Sequence, residues 1–323
     1  MEKMVQELWS FEMGETPSSE PVVSERRVLV GSCDGRIFCL DGEKGRKLWE
    51  YETRGWVSQP LVDSGYVFFG SYDGRVCCLD LVSGKKRWEF ATGGAIRSRP
   101  EKIGQEIFIG SESDRIYCLE AETGTRKSSR RWGDLIWTTQ KAGAFFYVNA
   151  LRSGGGGKLS CVDLPDLEVR WSFQSGEMLH LPSVDRGYVY TSDEGGRVYC
   201  LREEDGGEVW RYKRDWGSAG PVVAWEGKVY GGGQDGKLLS LDGETGEKLW
   251  AFQSRGEIGQ GPAVSDRAIY FGSCDKKIYA LDHSGEKRWD FETQGKVTFS
   301  PTVEGNRIYV SSLDKNIYCL CEI

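Results

Sequence analysis

The sequence predicts an all-β protein, a closed eight-bladed β-propeller of four-stranded antiparallel blades. A tryptophan recurs about every 40 residues, with one double interval, at Trp9, Trp49, Trp88, Trp171, Trp210, Trp250 and Trp289. A proline recurs with the same period, at Pro21, Pro60, Pro100, Pro182, Pro221, Pro262 and Pro301. Short strand-like runs separated by turn signals lie between these markers. The double interval marks one unit without its tryptophan, in which spacing puts Lys127 at the vacant place, so we count eight repeats.

Each repeat contains four strand-like segments. In the unit that begins at Pro60, PLVDSG gives a short strand and a turn, and YVFFGS, RVCCLD and KRWEF give three more strands. The Asp-Gly pair of SYDG suits a hairpin turn because both residues tolerate positive φ. The third strands are apolar on both faces, as in the run RIFCL at residues 36–40. Sheets stacked around an axis bury both faces, which favours a propeller.

The two ends of the chain are predicted to complete one blade together. The last unit stops at Ile323 without a tryptophan strand, and residues 6–11 form such a strand with no unit before it. The N-terminal strand is therefore expected to be the fourth strand of the final blade, which removes an open sheet edge. We expect one domain over residues 1–323, with blades that start near residues 21, 60, 100, 140, 182, 221, 262 and 301.

Composition argues against several classes of function. The net charge is −7 and no basic block is present, so a nucleic-acid partner is not expected. No run of 18 apolar residues occurs, so no membrane span is expected. The first residues lack the pattern of a signal peptide. A monomer in the cytoplasm is the default expectation.

The ten cysteines are predicted to be structural thiols. Six occupy one place in the repeat, which Ser240 and Ala280 occupy in the other two units: Cys39, Cys78, Cys118, Cys161, Cys200 and Cys319. A place that accepts Cys, Ser or Ala requires a small side chain, and a free cysteine is a small hydrophobe. Cys77 and Cys78 are adjacent in one predicted strand, so their side chains point to opposite faces and a disulfide between them is not expected.

Three segments resemble the tryptophan-docking motif Ala-x-Asp-x-x-Thr-Gly-x-x-x-Trp. They are CLDGEKGRKLW (39–49), CLDLVSGKKRW (78–88) and SLDGETGEKLW (240–250). This motif marks the PQQ-like repeat family, the propellers of quinoprotein alcohol dehydrogenases and their non-catalytic relatives. The resemblance covers essentially the whole chain and implies a propeller in which each tryptophan packs between blades. The same blades serve pyrroloquinoline quinone (PQQ) enzymes, an outer-membrane assembly lipoprotein and sensor domains, so function stays open.

A non-catalytic member of that family is expected, with no cofactor, no metal and no catalytic residue. The resemblance also implies an alternative, a PQQ-dependent or other ligand-dependent oxidoreductase or its degenerate remnant. Family enzymes are nearly twice as long, hold the quinone on Ca²⁺ near the axis, and in some cases cover it with an adjacent-cysteine disulfide. The sequence has only two histidines, no CxxC pair and no Gly-x-Ser-x-Gly elbow, which disfavours zinc sites and serine hydrolases.

The predicted binding site lies in the segments just before the repeating prolines. Each segment is expected to cross one rim from an outer strand to the next inner strand, at the mouth of the channel. Aromatic residues and arginine dominate binding hot spots. The candidate residues are Trp56, Arg97, Arg99, Trp137, His180, Trp216, Gln260 and Phe299. We expect a protein partner or a small ligand at the channel mouth, and ordinary rim residues are the alternative.

Overall fold

The protein is built from eight four-stranded antiparallel sheets, as seen in a computed structural model that describes residues 4–143 and 145–323. Neighbouring sheets pack on each other in chain order, and the innermost strands of the last and first sheets are in contact. The sheets are therefore the blades of a closed ring. This arrangement confirms the predicted eight-bladed propeller. In the described part of the chain, no helix is long and apolar enough to cross a membrane.

The strands of each blade run from the innermost to the outermost in chain order, except in the last blade. Blades 1 to 4 consist of β2 (Val22–Ser24), β3 (Arg27–Gly31), β4 (Arg36–Asp41) and β5 (Lys47–Glu52); β6 (Leu61–Asp63), β7 (Tyr66–Gly70), β8 (Arg75–Asp80) and β9 (Lys86–Ala91); β10 (Glu101–Ile103), β11 (Glu106–Ser111), β12 (Arg115–Glu120) and β13 (Arg126–Arg131); β14 (Leu135–Ala142), β15 (Phe145–Leu151), β16 (Gly157–Asp163) and β17 (Glu168–Gln174).

The second half of the ring has the same layout. Blades 5 to 8 consist of β18 (Ser183–Asp185), β19 (Tyr188–Ser192), β20 (Arg197–Arg202) and β21 (Glu208–Lys213); β22 (Ala219–Trp225), β23 (Lys228–Gly233), β24 (Lys237–Asp242) and β25 (Lys248–Gln253); β26 (Ala263–Val264), β27 (Ile269–Gly272), β28 (Lys277–Leu281) and β29 (Lys287–Glu292); β30 (Thr302–Glu304), β31 (Arg307–Ser311), β32 (Asn316–Glu322) and, outermost, β1 (Val5–Glu12).

The N-terminal strand closes the ring. Strand β1 pairs antiparallel with β32, with Trp9 opposite Cys319. From this outermost strand the Trp9 indole donates its Nε1 hydrogen to the carbonyl of Gly42 in blade 1, at 3.1 Å. Arg307 of blade 8 donates to the same carbonyl at 2.8 Å. Strands from both ends of the chain thus build one blade, as the strand count predicts.

Each repeat tryptophan packs on the next blade, and a small residue faces it within its own blade. Trp49 of β5 pairs across the sheet with Cys39 of β4, and its Nε1 donates to the Leu81 carbonyl of blade 2 at 2.9 Å. The indole leaves room only for a small side chain opposite it, which explains why Cys, Ser or Ala recurs there. Burial raises the pKa of Cys39 to about 12. The six equivalent cysteines are buried, free thiols.

Blade 3 replaces the tryptophan contact with an arginine. Across the sheet from Cys118, where other blades have tryptophan, stands Ser128. Spacing alone assigns this place to Lys127, which is wrong by one residue because the repeat length varies between 39 and 40 residues. Ser128 follows Cys118 by ten residues, just as Trp49 follows Cys39. Arg130 reaches blade 4 instead and donates from Nη1 to the Leu167 carbonyl at 2.7 Å. The contact between these two blades is therefore polar at its outer edge.

Candidate binding site at the channel mouth

The residues that precede the repeating prolines surround a cavity on the propeller axis. Because every blade delivers its innermost strand in the same orientation, the residue before the repeating proline lies at this cavity in every blade that has the proline except blade 6. The cavity has a volume of about 530 Å³, within the range of small-molecule sites. The pre-proline residues that line it are Glu20, Gln59, Arg99, Leu181, Gly261 and Ser300, and Gln140 contributes from blade 4.

The wall of this axial cavity is polar on one side and apolar on the other. Blades 1 to 4 contribute charged and amide side chains, including Glu20, Gln59 and Arg99. Blades 5 to 7 contribute Leu181 and Val222 together with prolines. At Gly261, the pre-proline residue of blade 7, an added Cβ would lie 3.0 Å from the Pro221 carbonyl oxygen, so glycine lets blades 6 and 7 approach closely there. A ligand with one polar and one apolar face would match such a wall.

Arg99 lies in the polar wall without a partner. Its Nε atom is buried and makes no hydrogen bond to any described residue, and the guanidinium forms no ion pair within the described ranges. The carboxyl groups of Glu20 and Glu101 interact with its charge through space. Burial raises the pKa of both carboxyl groups, and the charge of Arg99 opposes that rise. Glu20 also accepts a hydrogen bond from Gln59 Nε2 at 3.2 Å.

Hydrogen-bond acceptors on blade 4 are also unpaired. Asn149 is 1% exposed and donates from Nδ2 to the carbonyl of Leu179. Its Oδ1 atom has no donor among the described residues, and the same holds for Gln140 Oε1 and Thr138 Oγ1. All three side chains line the axial cavity. The polar wall therefore presents one cationic donor and several acceptors that the protein itself does not satisfy.

His180 bounds the cavity on the side of blade 5. Its Nε2 atom lies 2.9 Å from the Ala219 carbonyl, so Nε2 carries the hydrogen and Nδ1 is the acceptor. Burial lowers the pKa of His180, which favours the neutral ring at neutral pH. His180 can therefore accept a hydrogen bond but does not supply a positive charge.

A stack of alternating aromatic rings and one guanidinium lies on the rim beside the cavity. Trp56 stacks on Tyr72 with ring centroids 5.3 Å apart. The guanidinium of Arg97 lies 4.8 Å from the Tyr72 ring centroid and 4.5 Å from that of Trp137. Arg97 also forms an ion pair with Glu112 and donates to the Tyr72 hydroxyl at 3.0 Å. We call these four residues, Trp56, Tyr72, Arg97 and Trp137, the rim stack.

The structure brings most of the candidate residues into two adjoining spaces. A recess of about 160 Å³ is lined by Trp56, Arg97, Gln260 and Phe299. The axial cavity is lined by Arg99, Trp137 and His180, and Gln260 also borders it. Trp216 lines neither space and is 68% exposed.

Sequence reasoning missed several residues of these spaces. Glu20 and Gln59 hold the same pre-proline place as Arg99, a signal that was present in the repeat. Tyr72 belongs to a hairpin turn and Asn149 to the interior of β15, and neither place marks a binding residue. Only the arrangement of neighbouring blades brings these two side chains to the site.

The adjacent cysteines do not fit the disulfide that covers the quinone in some family enzymes. Cys77 packs in the core between blades 1 and 2, and Cys78 packs between blades 2 and 3. Burial raises the pKa of each thiol to about 12, and their opposite directions prevent a disulfide that could cover a ligand. No group of three His, Cys, Asp or Glu side chains in the described ranges could hold a metal ion.

The chain is similar to two kinds of propeller protein. Over 317 residues it is 25% identical to the outer membrane protein assembly factor BamB of Moranella endobia, a match that spans 86% of this chain and 69% of that protein. The BamB of Nitrosomonas eutropha is 30% identical over 109 residues, 34% of this chain and 26% of that protein. Quinohemoprotein alcohol dehydrogenase ADH-IIG of Pseudomonas putida is 30% identical over 114 residues, 31% of this chain and 16% of that protein.

Solved structures show the same fold over the whole chain. The crystal structure of BamB from Moraxella catarrhalis superposes with a TM-score of 0.79 at 17% identity and covers 98% of this chain and 99% of that one. The family model described as outer membrane protein assembly factor BamB matches residues 5–212, 133–260 and 235–321. Since these matches extend over almost the entire sequence, the chain belongs to the PQQ-like β-propeller family of BamB.

Proposed function

We propose that this protein is a non-catalytic binding propeller that docks a protein partner on the rim stack. The observation that carries the proposal is the stack itself, which presents Trp56 at 49% exposure on a platform of Tyr72, Arg97 and Trp137. Tryptophan, tyrosine and arginine are the residues that contribute most to protein interfaces. The relatives named as assembly factors support a role in protein interaction.

The internal contacts of the rim stack suit it to docking. Glu112 already balances the charge of Arg97, so a partner need not supply a carboxylate there. The guanidinium instead contacts the rings of both Tyr72 and Trp137 and holds them in place. A prearranged surface loses less side-chain entropy on binding than a mobile one. A partner with an apolar or aromatic side chain would pack on the Trp56 face.

The experiment compares capture of partners from the native organism by three purified proteins. The wild type, Trp56→Ala and Trp216→Ala are immobilised, and the bound proteins are identified by mass spectrometry. Trp216→Ala is the matched control because it removes an exposed tryptophan outside both spaces. We expect the wild type and the control to retain the same partner and Trp56→Ala to lose it. Equal retention by Trp56→Ala would contradict docking on the rim stack.

The alternative function, a quinone-dependent oxidoreductase, has the support of the dehydrogenase relatives but not of the residues. The buried, divergent Cys77 and Cys78 argue against it. Titration of the purified protein with PQQ tests it directly, with absorbance and tryptophan fluorescence as readouts. Saturable binding at micromolar concentration would revive the enzyme proposal. A cytoplasmic location and a monomeric state stay predictions.

A further inference from the structure

The axial cavity contains a charge and acceptors that the protein leaves unsatisfied, and together they specify a ligand. An unpaired guanidinium in a partly buried wall is costly unless an anion binds to it. Arg99 has this position, and its planar fork matches a carboxylate. Glu20 and Glu101 interact with the same guanidinium. Their negative charges oppose any anion, and a multiply charged one most strongly, so the ligand that Arg99 can attract carries one carboxylate only.

The acceptors of blade 4 require a donor on the same ligand. Asn149 Oδ1 is oriented by the bond from Nδ2 to Leu179, so it cannot exchange places with the amide nitrogen without losing that bond. Gln140 Oε1 provides a second unpaired acceptor in the same wall. A buried acceptor left without a partner costs about 1–3 kcal/mol. Both oxygens are shielded from solvent within the wall, so a ligand N–H or O–H group would remove this cost once a rotation of the side chain brings the oxygen to the cavity surface.

The apolar wall specifies the rest of the ligand. Leu181, Val222 and the prolines of blades 5 to 7 face the polar residues across the cavity. An apolar side chain would bury its surface against this wall. The cavity volume of about 530 Å³ admits one or two amino-acid residues and not a folded segment.

We propose that the axial cavity binds a monocarboxylate that carries a neighbouring N–H donor and an apolar side chain. This is the chemistry of the C-terminal residue of a peptide, and an N-acylated apolar amino acid shares it. The carboxylate binds Arg99, the N–H group donates to Asn149 or Gln140, and the side chain packs on Leu181 and Val222. This site goes beyond the rim stack, since it has a different ligand and different residues.

The test measures binding by calorimetry with three probes. They are acetyl-Ala-Ala-Leu with a free carboxyl group, the same peptide with an amidated C-terminus, and N-acetyl-leucine. We expect the free acid to bind and the amide to bind about ten- to a hundredfold more weakly, because it lacks the charge-assisted bonds to Arg99. A peptide affinity well above that of N-acetyl-leucine indicates a partner's C-terminus as the source, and equal affinities indicate a free small carboxylate.

Variants connect the affinity to the named residues. Arg99→Gln should reduce binding of the free acid to the level of the amide, and Gln140→Met should weaken it severalfold. Arg255→Gln, an exposed arginine on an equivalent blade connection, is the matched control and should bind like the wild type. Trp56→Ala should also leave peptide affinity unchanged, which separates this proposal from docking on the rim stack.

Three results would overturn the proposal. They are equal affinity for the acid and the amide, no binding of any probe at millimolar concentration, and unchanged binding by Arg99→Gln. If Arg99→Gln destabilises the fold, Arg99→Lys provides the second variant. If Arg99→Lys restores the stability of the fold and neither variant changes the affinity for the free-acid peptide, Arg99 has a structural role only.

Discussion

Six of the seven repeat tryptophans, all except Trp289, contact a glycine of the next blade, and the energy of this contact can be measured at Gly45. This residue lies in the turn between β4 and β5 with φ of +68°, and an added Cβ would lie 2.5 Å from Cδ2 of Trp9. Gly45→Ala therefore has two costs. The left-handed backbone costs about 1–2 kcal/mol for a residue with a side chain, and the steric overlap with the indole costs about 1–3 kcal/mol more.

A second glycine separates the two costs. Gly65 has φ of +79°, and no described heavy atom lies within 4 Å of its added Cβ. Gly65→Ala should therefore lower the free energy of unfolding by the backbone cost alone, about 1–2 kcal/mol. Urea unfolding of the wild type, Gly45→Ala and Gly65→Ala provides the comparison. A cycle with Trp9→Ala completes it, because removal of the indole should leave Gly45→Ala with the backbone cost only.

The reasoning fails if the two glycine variants lose equal stability. It also fails if Gly45→Ala costs as much in the Trp9→Ala background as in the wild type. Either result would mean that Trp9 does not press on the turn of blade 1.

Three further predictions concern closure, pH and the thiols. Deletion of residues 1–12 removes β1 and the Trp9 indole, so the free energy of unfolding should fall by at least the roughly 3–5 kcal/mol typical of a buried tryptophan; an unchanged urea midpoint would contradict closure by this strand. The raised pKa of Glu20 means that stability falls as pH rises from its usual value through the raised one, so Glu20→Gln should stabilise the protein at pH 8 more than at pH 4; the same gain at both would argue against a charged, desolvated Glu20. Thiol titration should detect ten free cysteines in denaturant but only the half-buried Cys33, Cys274 and Cys321 reacting readily in the native protein; fast native reaction of more than these three would contradict the burial of the others.

The sequence predicts the fold in detail because its signals are local and repeated. Tryptophan, proline and Asp-Gly recur at fixed spacing, and counting strands at the two ends predicts the pairing of β1 with β32. The error in blade 3, Lys127 for Ser128, arises because the interval between tryptophans varies between 39 and 40 residues. Counting ten residues from Cys118 within the blade gives Ser128. The fold can therefore be predicted from residue types and their spacing in the sequence.

The site depends on contacts between blades, which spacing alone does not show. The position of Arg99 before a proline predicts that it faces the channel mouth. Its lack of a partner, and the unpaired oxygen of Asn149, follow only from the placement of blades 1, 3 and 4 around the axis. Likewise, nothing in a hairpin turn indicates that Tyr72 will stack between Trp56 and Arg97.

The pre-proline place has a consequence for how such a molecule can be redesigned. Seven blades have the repeating proline, and the residues before it are Glu, Gln, Arg, Leu, Gly, Gly and Ser, so five blades contribute a side chain there. These side chains lie outside the tryptophan contacts that hold the blades together, so the two sets of residues can vary independently. The residues at the mouth of the propeller can therefore be substituted one blade at a time. A designer could exchange one pre-proline side chain at a time, for example Arg99 for a carboxylate, and so change the charge of the cavity wall. The tryptophan contacts between the blades would stay the same.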